Sequence, residues 1–168
     1  KQSFEYLKKA KTRAKVLLDH DMAFRITPDL LKGKIIPKTT EQIKAIEQIT
    51  NAFPKHETIA GLMRQDCEST KHYNTDLDLS SVIYGQATAS RQHIMFCTKL
   101  IFFGVGCADA IITDRLHVAI AATFSGRSVY MIDNTYKKLS NVYHNSMGQF
   151  KNVRFCTEMP DITSISVG

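Results

Sequence analysis

Two short polar clusters carry residue types able to grip an anion and move a proton. Arg115 and His117 follow the apolar run Ala110–Thr113, and Asp133, Asn134, Tyr136 and Lys138 follow the apolar run Val129–Ile132. A guanidinium binds carboxylate or phosphate as a fork, two N–H groups to two oxygens. Histidine gives or takes a proton near neutral pH. A helix that begins just after Asp114 adds free backbone N–H groups and the positive end of its dipole to the same place. Residues two apart on a regular helix point to different faces. Arg115 and His117 therefore reach one ligand only if Arg115 lies in the turn before the helix. Spacing alone leaves a structural alternative open: Arg115 pairs with Asp114 or Asp133, and Asn134 or Thr135 merely holds the next helix start.

Three further clusters deserve the same weighing. Arg64, Asp66 and Glu68 alternate at the end of the apolar run Thr58–Met63; they suit a substrate acid or sugar hydroxyls, or form an ion pair. Asp19 and Asp21 flank His20 after Val16–Leu18; Asp21 either accepts from sugar hydroxyls or caps its own turn. Asp76 and Asp78 are spaced to share a hard cation, although a solvated loop is the favoured reading. Gly104-Val105-Gly106 precedes a strand, so it is not a dinucleotide loop. The four cysteines, Cys67, Cys97, Cys107 and Cys156, form no C-x-x-C. They give no zinc or redox signature and fit a reducing compartment better than a disulfide framework. No Ser-His-Asp or Cys-His arrangement and no metal-spaced histidine pair stands out, and no metal is expected.

These residues need elements to position them. Ser3 caps a helix to about Arg13, and Val16–Leu18 is a short strand. Thr40 caps a helix from Glu41 to about Ala52 with Ile43, Ile46 and Ile49 at three-residue steps. After the strand Thr58–Met63 comes a polar loop, then a long helix from Tyr84 to about Phe103 with Ile94, Cys97 and Ile101 inward, broken by Gly104 and Gly106. Thr113 or Asp114 caps the next helix, whose stripe is Leu116, Ile120 and Phe124; Gly126 stops it. After Val129–Ile132, Thr135 caps a helix from Tyr136 to about Ser146, and Val153–Cys156 closes the series. About five short apolar strands alternating with helices predict an α/β fold, a Rossmann-like doubly wound parallel sheet. Ligands of such sheets bind outside the carboxyl ends of the strands, where the polar clusters fall.

The 168 residues suffice for one domain with a core. The chain does not begin with Met, which suggests a piece of a longer protein. No apolar run approaches the ~20 residues of a membrane span. Net charge is +6, and it is concentrated: residues 1–38 hold ten Lys/Arg and four Asp/Glu, the remainder twelve of each. That basic segment suits a phosphate, a membrane surface or an acidic partner, with a solvated helix face as the plainer reading. It lacks the interleaved aromatics of a nucleic-acid platform.

The phrase I-T-D-R-L-H at Ile112–His117, followed after one helix by I-D-N-T-Y-K-K-L at Ile132–Leu139, resembles the strongest motif of the polysaccharide pyruvyl transferase family. L-D-H-D-M-A-F at Leu18–Phe24 and M-R-Q-D-C-E-S at Met63–Ser69 are similar to earlier segments of that family, in the same order. The resemblance runs from residue 3 to about 147 and departs at Lys137, where many members carry Gly. It implies a two-domain, glycosyltransferase-B-like fold with the active site between domains. This chain would then be the C-terminal half: residues 1–14 a connecting helix from the N-terminal half, 15–160 the Rossmann-like domain, 161–168 a tail. The implied activity is exopolysaccharide biosynthesis in the cytoplasm, at the inner face of the membrane. A pyruvyl unit would pass from phosphoenolpyruvate, the donor substrate, to a sugar or lipid-linked oligosaccharide as a ketal, without a cofactor. His117 would be the general acid and Arg115 the holder of the donor's acid groups. Arg64 and Lys138 would add anion contacts, and Asp21, Asp133 and Asn134 would face sugar hydroxyls. Asp66, Glu68 and Tyr136 complete the candidate substrate-binding set. The isolated fragment is expected to turn over little. Two rival readings remain: a glycosyltransferase with a nucleotide-sugar donor, and a non-catalytic glycan-binding domain.

Overall fold

A computed structural model describes residues 34–66, 75–83, 90–135 and 137–165. The order is α1 (Thr40–Ala52), β1 (Glu57–Gly61), α2 (Leu79–Val82), α3 (Arg91–Val105), β2 (Ala108–Thr113), α4 (Leu116–Phe124), β3 (Ser128–Ile132), α5 (Lys138–Val142), a π-turn (Tyr143–Met147), β4 (Val153–Cys156) and a 3-10 turn (Ile162–Ser164). The four strands form one all-parallel sheet in the order β1-β2-β3-β4. The chain is thus α/β, a parallel sheet flanked by helices in the Rossmann-like, doubly wound class. The predicted helix at residues 3–13 and the strand Val16–Leu18 lie outside the described residues.

Because side chains alternate across a strand, the register sorts the core onto two faces. Ala60, Ile111, Val129, Met131 and Val153 pack with Ile49, Leu100 and Ile120 of the helices. Met63, Ala110, Ile112, Tyr130 and Ile132 form the second face, against which Met159 and Ile165 pack. β2 and β3, buried on both sides, read as nearly continuous apolar runs, which is why they stand out in the sequence.

The helices required more correction. Thr39, not Thr40, caps α1, its side chain accepting from the Gln42 N–H. The inward face of α1 is Ala45 and Ile49, while Ile43 is exposed. Helix α3 starts at Arg91 because Ser90 takes an extended conformation and accepts from the His93 N–H. Its buried face is Phe96, Leu100, Gly104 and Val105; Ile94 is exposed, and Cys97 and Ile101 are half-buried. Gly104 does not break the helix. A Cβ there would lie 2.6 Å from Leu79 Cδ2, so glycine serves the approach of α2. Burial pushes the thiols of Cys97, Cys107 and Cys156 above their ordinary pKa, which suits packing rather than nucleophilic chemistry.

Helix α4 is the central crossover and touches α3, β2 and β3. Seven of its residues, Leu116, Val118, Ala119, Ile120, Ala121, Ala122 and Thr123, are buried, so it has no single stripe, and Phe124 is exposed. Small residues at 119, 121 and 122 let it lie close to its neighbours on all sides. Gly126, at φ +71, stops it as the sequence predicts.

Candidate functional site at the carboxyl edge of the sheet

At the carboxyl ends of β1 and β2 the backbone turns are tied to each other. The Thr113 hydroxyl donates to the Leu62 carbonyl at 2.6 Å and accepts from the Arg115 N–H at 3.0 Å. Asp114 is 1% exposed and accepts from the Arg64 N–H at 2.7 Å. Neither residue caps α4; each reaches across to β1 or its turn. Burial raises the Asp114 carboxyl above the ordinary carboxylate range, opposed by the Arg64 N–H and the Arg115 and Arg64 charges.

Those ties fix Arg115 as the N-cap residue of α4, with extended backbone, φ −104 and ψ 119. It therefore lies in the turn, as a shared ligand requires, and His117 stands exposed on the first turn of the helix. Arg115 Nη2 donates to Asp78 Oδ2 at 2.6 Å and to Asp66 Oδ2 at 3.3 Å. Arg64 takes Asp66 in a fork, Nε to Oδ1 at 2.8 Å and Nη2 to Oδ2 at 2.9 Å. Asp78 is itself held by the N–H groups of Gln65 (3.1 Å) and Ser80 (3.0 Å) and caps α2. Arg115 thus has a structural partner, but the partners are Asp78 and Asp66 rather than Asp114 or Asp133.

Arg64, Asp114, Arg115, His117, Asn134 and Lys138 line one cavity of about 220 Å³, with Leu79, Ile83, Ile101, Leu116 and Leu139 supplying apolar wall. The arrangement offers guanidinium and ammonium groups, an imidazole and an amide against a greasy side. It can hold a small anionic molecule and deliver a proton to it.

The remaining predicted residues divide. Asp133 Oδ1 accepts from the N–H groups of Leu139 and Ser140, 3.1 Å each, so this oxygen serves the start of α5 and Asp133 does not line the cavity. The capping alternative holds there, with Asp133 in the role expected of Thr135. Asn134 is 3% exposed; its side-chain oxygen lies 3.4 Å from the Lys138 N–H, and it still faces the cavity. Asp66 holds the arginines from beyond the cavity wall. Asp21, Glu68 and Tyr136 lie outside the described residues.

Asp76 and Asp78 do not converge on a shared cation. Asp76 accepts from the Gly61 N–H at 2.7 Å, so it satisfies the outer edge of β1, while Asp78 turns to Arg115. Among the described residues no three His, Cys, Asp or Glu side chains gather at metal-binding distance. The tie of Asp78 to Arg115 is what sequence reasoning missed. The local signal of Asp78 was that of a cap, Asp before Leu-Ser-Ser, and its long-range partner left no trace in the spacing. Lys137 sits at φ 51, a left-handed conformation that favours glycine. Among the described residues no helix is long and apolar enough to cross a membrane.

No protein-family model and no curated protein matches the chain. Among solved structures it is similar to an uncharacterized protein from Klebsiella pneumoniae, with 24% identity and a TM-score of 0.47 over 62% of this chain and 38% of that one. The chain thus spans less than half the length of that protein, and the likeness carries no functional information.

Proposed function

We propose that this chain is the donor-binding part of a pyruvyl transferase of glycan biosynthesis, taking phosphoenolpyruvate as donor and a sugar as acceptor. The observation that carries the reading is the convergence of Arg64, Arg115, His117, Asn134 and Lys138 on one cavity at the carboxyl edge of a parallel sheet. Its volume, about 220 Å³, admits a small acid phosphate. The resemblance of the I-T-D-R-L-H and I-D-N-T-Y-K-K-L phrases adds to it.

In this scheme His117 protonates the methylene carbon of the enol ester, and C2 becomes cationic. A sugar hydroxyl attacks C2 and passes its proton to His117, which the first step left neutral. The C2–O bond to phosphate breaks with its electron pair on the leaving phosphate; a second sugar hydroxyl attacks the cationic C2 so formed, its proton passes to the phosphate, and the ketal is closed. Arg115 and the first N–H groups of α4 stabilise charge on the departing phosphate. Arg64 joins Arg115 on that group, Lys138 holds the remaining acid group, and Asn134 orients a hydroxyl. The acceptor, a sugar or lipid-linked oligosaccharide, and an N-terminal half that completes the cleft belong to the same proposal, as does work in the cytoplasm at the membrane face.

The experiment is a pair of measurements. Phosphoenolpyruvate should bind the chain more tightly than any nucleotide sugar; the reverse order would replace this reading with a nucleotide-sugar glycosyltransferase. In the longer protein, His117→Ala should lower transfer by about 100-fold or more, typical of a lost general acid. Unchanged transfer would point to a non-catalytic glycan-binding domain.

A further inference from the structure

Three carboxylates surround the two arginines, and they are held in different ways. Asp78 and Asp114 are 4% and 1% exposed. Each is fastened by backbone N–H groups, Asp78 by Gln65 and Ser80 and Asp114 by Arg64. Asp66 has a side chain 43% exposed, yet it receives the better geometry: both prongs of Arg64 and the tip of Arg115. Two guanidiniums converging on one planar carboxylate is the pattern these groups present to an external acid.

Burial decides which carboxylate can yield. Asp78 is almost fully buried and its departure would leave a buried charge uncovered, so it stays. Asp66 has a side chain 43% exposed and regains water when it swings out, while a ligand of equal or greater charge keeps the two guanidiniums, 15% and 14% exposed, covered.

We infer that Asp66 is an internal stand-in for the acid group of the ligand: a carboxylate or phosphate from outside takes its place across Arg64 and Arg115, and binding competes with Asp66. The inference rests on the reading that these arginines grip an anion, and not on the pyruvyl chemistry. It places one acid group of the ligand between Arg64 and Arg115, on the β1 side of the cleft, and makes Asp66 the residue that sets affinity.

The test is calorimetric titration of the 168-residue chain and its Asp66→Asn variant with inorganic phosphate, at one low ionic strength because salt screens the contact. Asp66→Asn should bind phosphate about tenfold more tightly, the gain from removing a competitor that holds the site about nine-tenths of the time. Arg64→Gln in the same background should cancel the gain. In the wild-type chain, which needs no variant to fold, phosphate should shift the Arg64 Nε–H resonance. Weaker or unchanged binding by Asp66→Asn, a silent Arg64 signal, or no phosphate binding by either protein overturns the inference. A parallel titration with phosphoenolpyruvate separates the two readings. A gain for phosphate without preferential binding of phosphoenolpyruvate leaves Asp66 as the stand-in and removes the pyruvyl assignment.

Discussion

The two rims of the sheet hold the same residue types and use them differently. At the amino rim, Asp109 binds His56 Nε2 at 2.8 Å and Arg127 Nη1 at 3.3 Å, and Arg127 Nη2 reaches the Gly106 carbonyl at 3.3 Å. Asp109 and His56 side chains there are 39% and 50% exposed. At the carboxyl rim, Arg115 is 14% exposed and Asp78 4%, and a cavity adjoins them. The difference follows from direction. Helix starts gather at the carboxyl ends of parallel strands, bringing unpaired N–H groups and side chains from several turns together. Arg115, Asp78 and Asp114 are largely withdrawn from water there, so these charges need fixed partners and their interactions are stronger. The amino rim leaves its ion pairs in solvent, where they are screened.

Breaking one pair at each rim tests this contrast most strongly. Asp78→Ala strands a nearly buried guanidinium and removes the cap of α2, and should cost on the order of 3 kcal/mol. Asp109→Ala should cost less than about 1 kcal/mol. Urea unfolding of both variants measures the difference, and equal losses would erase the distinction between the rims.

A smaller effect sharpens the electrostatics of the carboxyl rim. Because the folded chain holds the Asp114 proton to higher pH than the unfolded chain does, the stability this group contributes at low pH is lost as pH rises through its raised value. Asn at 114 has no proton to lose and still offers an oxygen to the Arg64 N–H. The melting temperature of Asp114→Asn minus that of the wild type should therefore increase from about pH 4 towards neutrality. A flat difference would mean that Asp114 is not held above its ordinary range.

The smallest expected change lies in the turn after β3. Lys137 occupies the left-handed region, where a side chain costs about 1–2 kcal/mol that glycine avoids, less what glycine loses in chain entropy. Lys137→Gly should stabilise by at most about 1 kcal/mol. Destabilisation in thermal unfolding would show that the lysine side chain contributes to the turn.

The sequence exposed what depends on neighbours in the chain and hid what depends on the fold. The runs at Ala110–Thr113 and Val129–Ile132 were legible because buried parallel strands are apolar throughout, and Gly126 because few residues accept its φ. Helix faces were harder. Ile43 and Ile94 fit three- and four-residue spacings as well as Ala45 and Phe96 do, and only packing on the sheet chooses between them. Thr113 and Asp114 look like caps, but Thr113 donates to the Leu62 carbonyl and Asp114 accepts from the Arg64 N–H. Arg115, His117, Asn134 and Lys138 were found because parallel sheets put chemistry at one rim. The role of Asp78 was not, since its tie to Arg115 spans 37 positions and has no periodic signature.

The most direct test of the account is an amide NMR titration of the chain with phosphoenolpyruvate, read at both rims at once. Shifts should concentrate at Arg64, Arg115, His117, Asn134 and Lys138, with His56, Asp109 and Arg127 silent. Shifts centred on the amino rim, or none at either, would contradict a binding cleft at the carboxyl edge of the sheet.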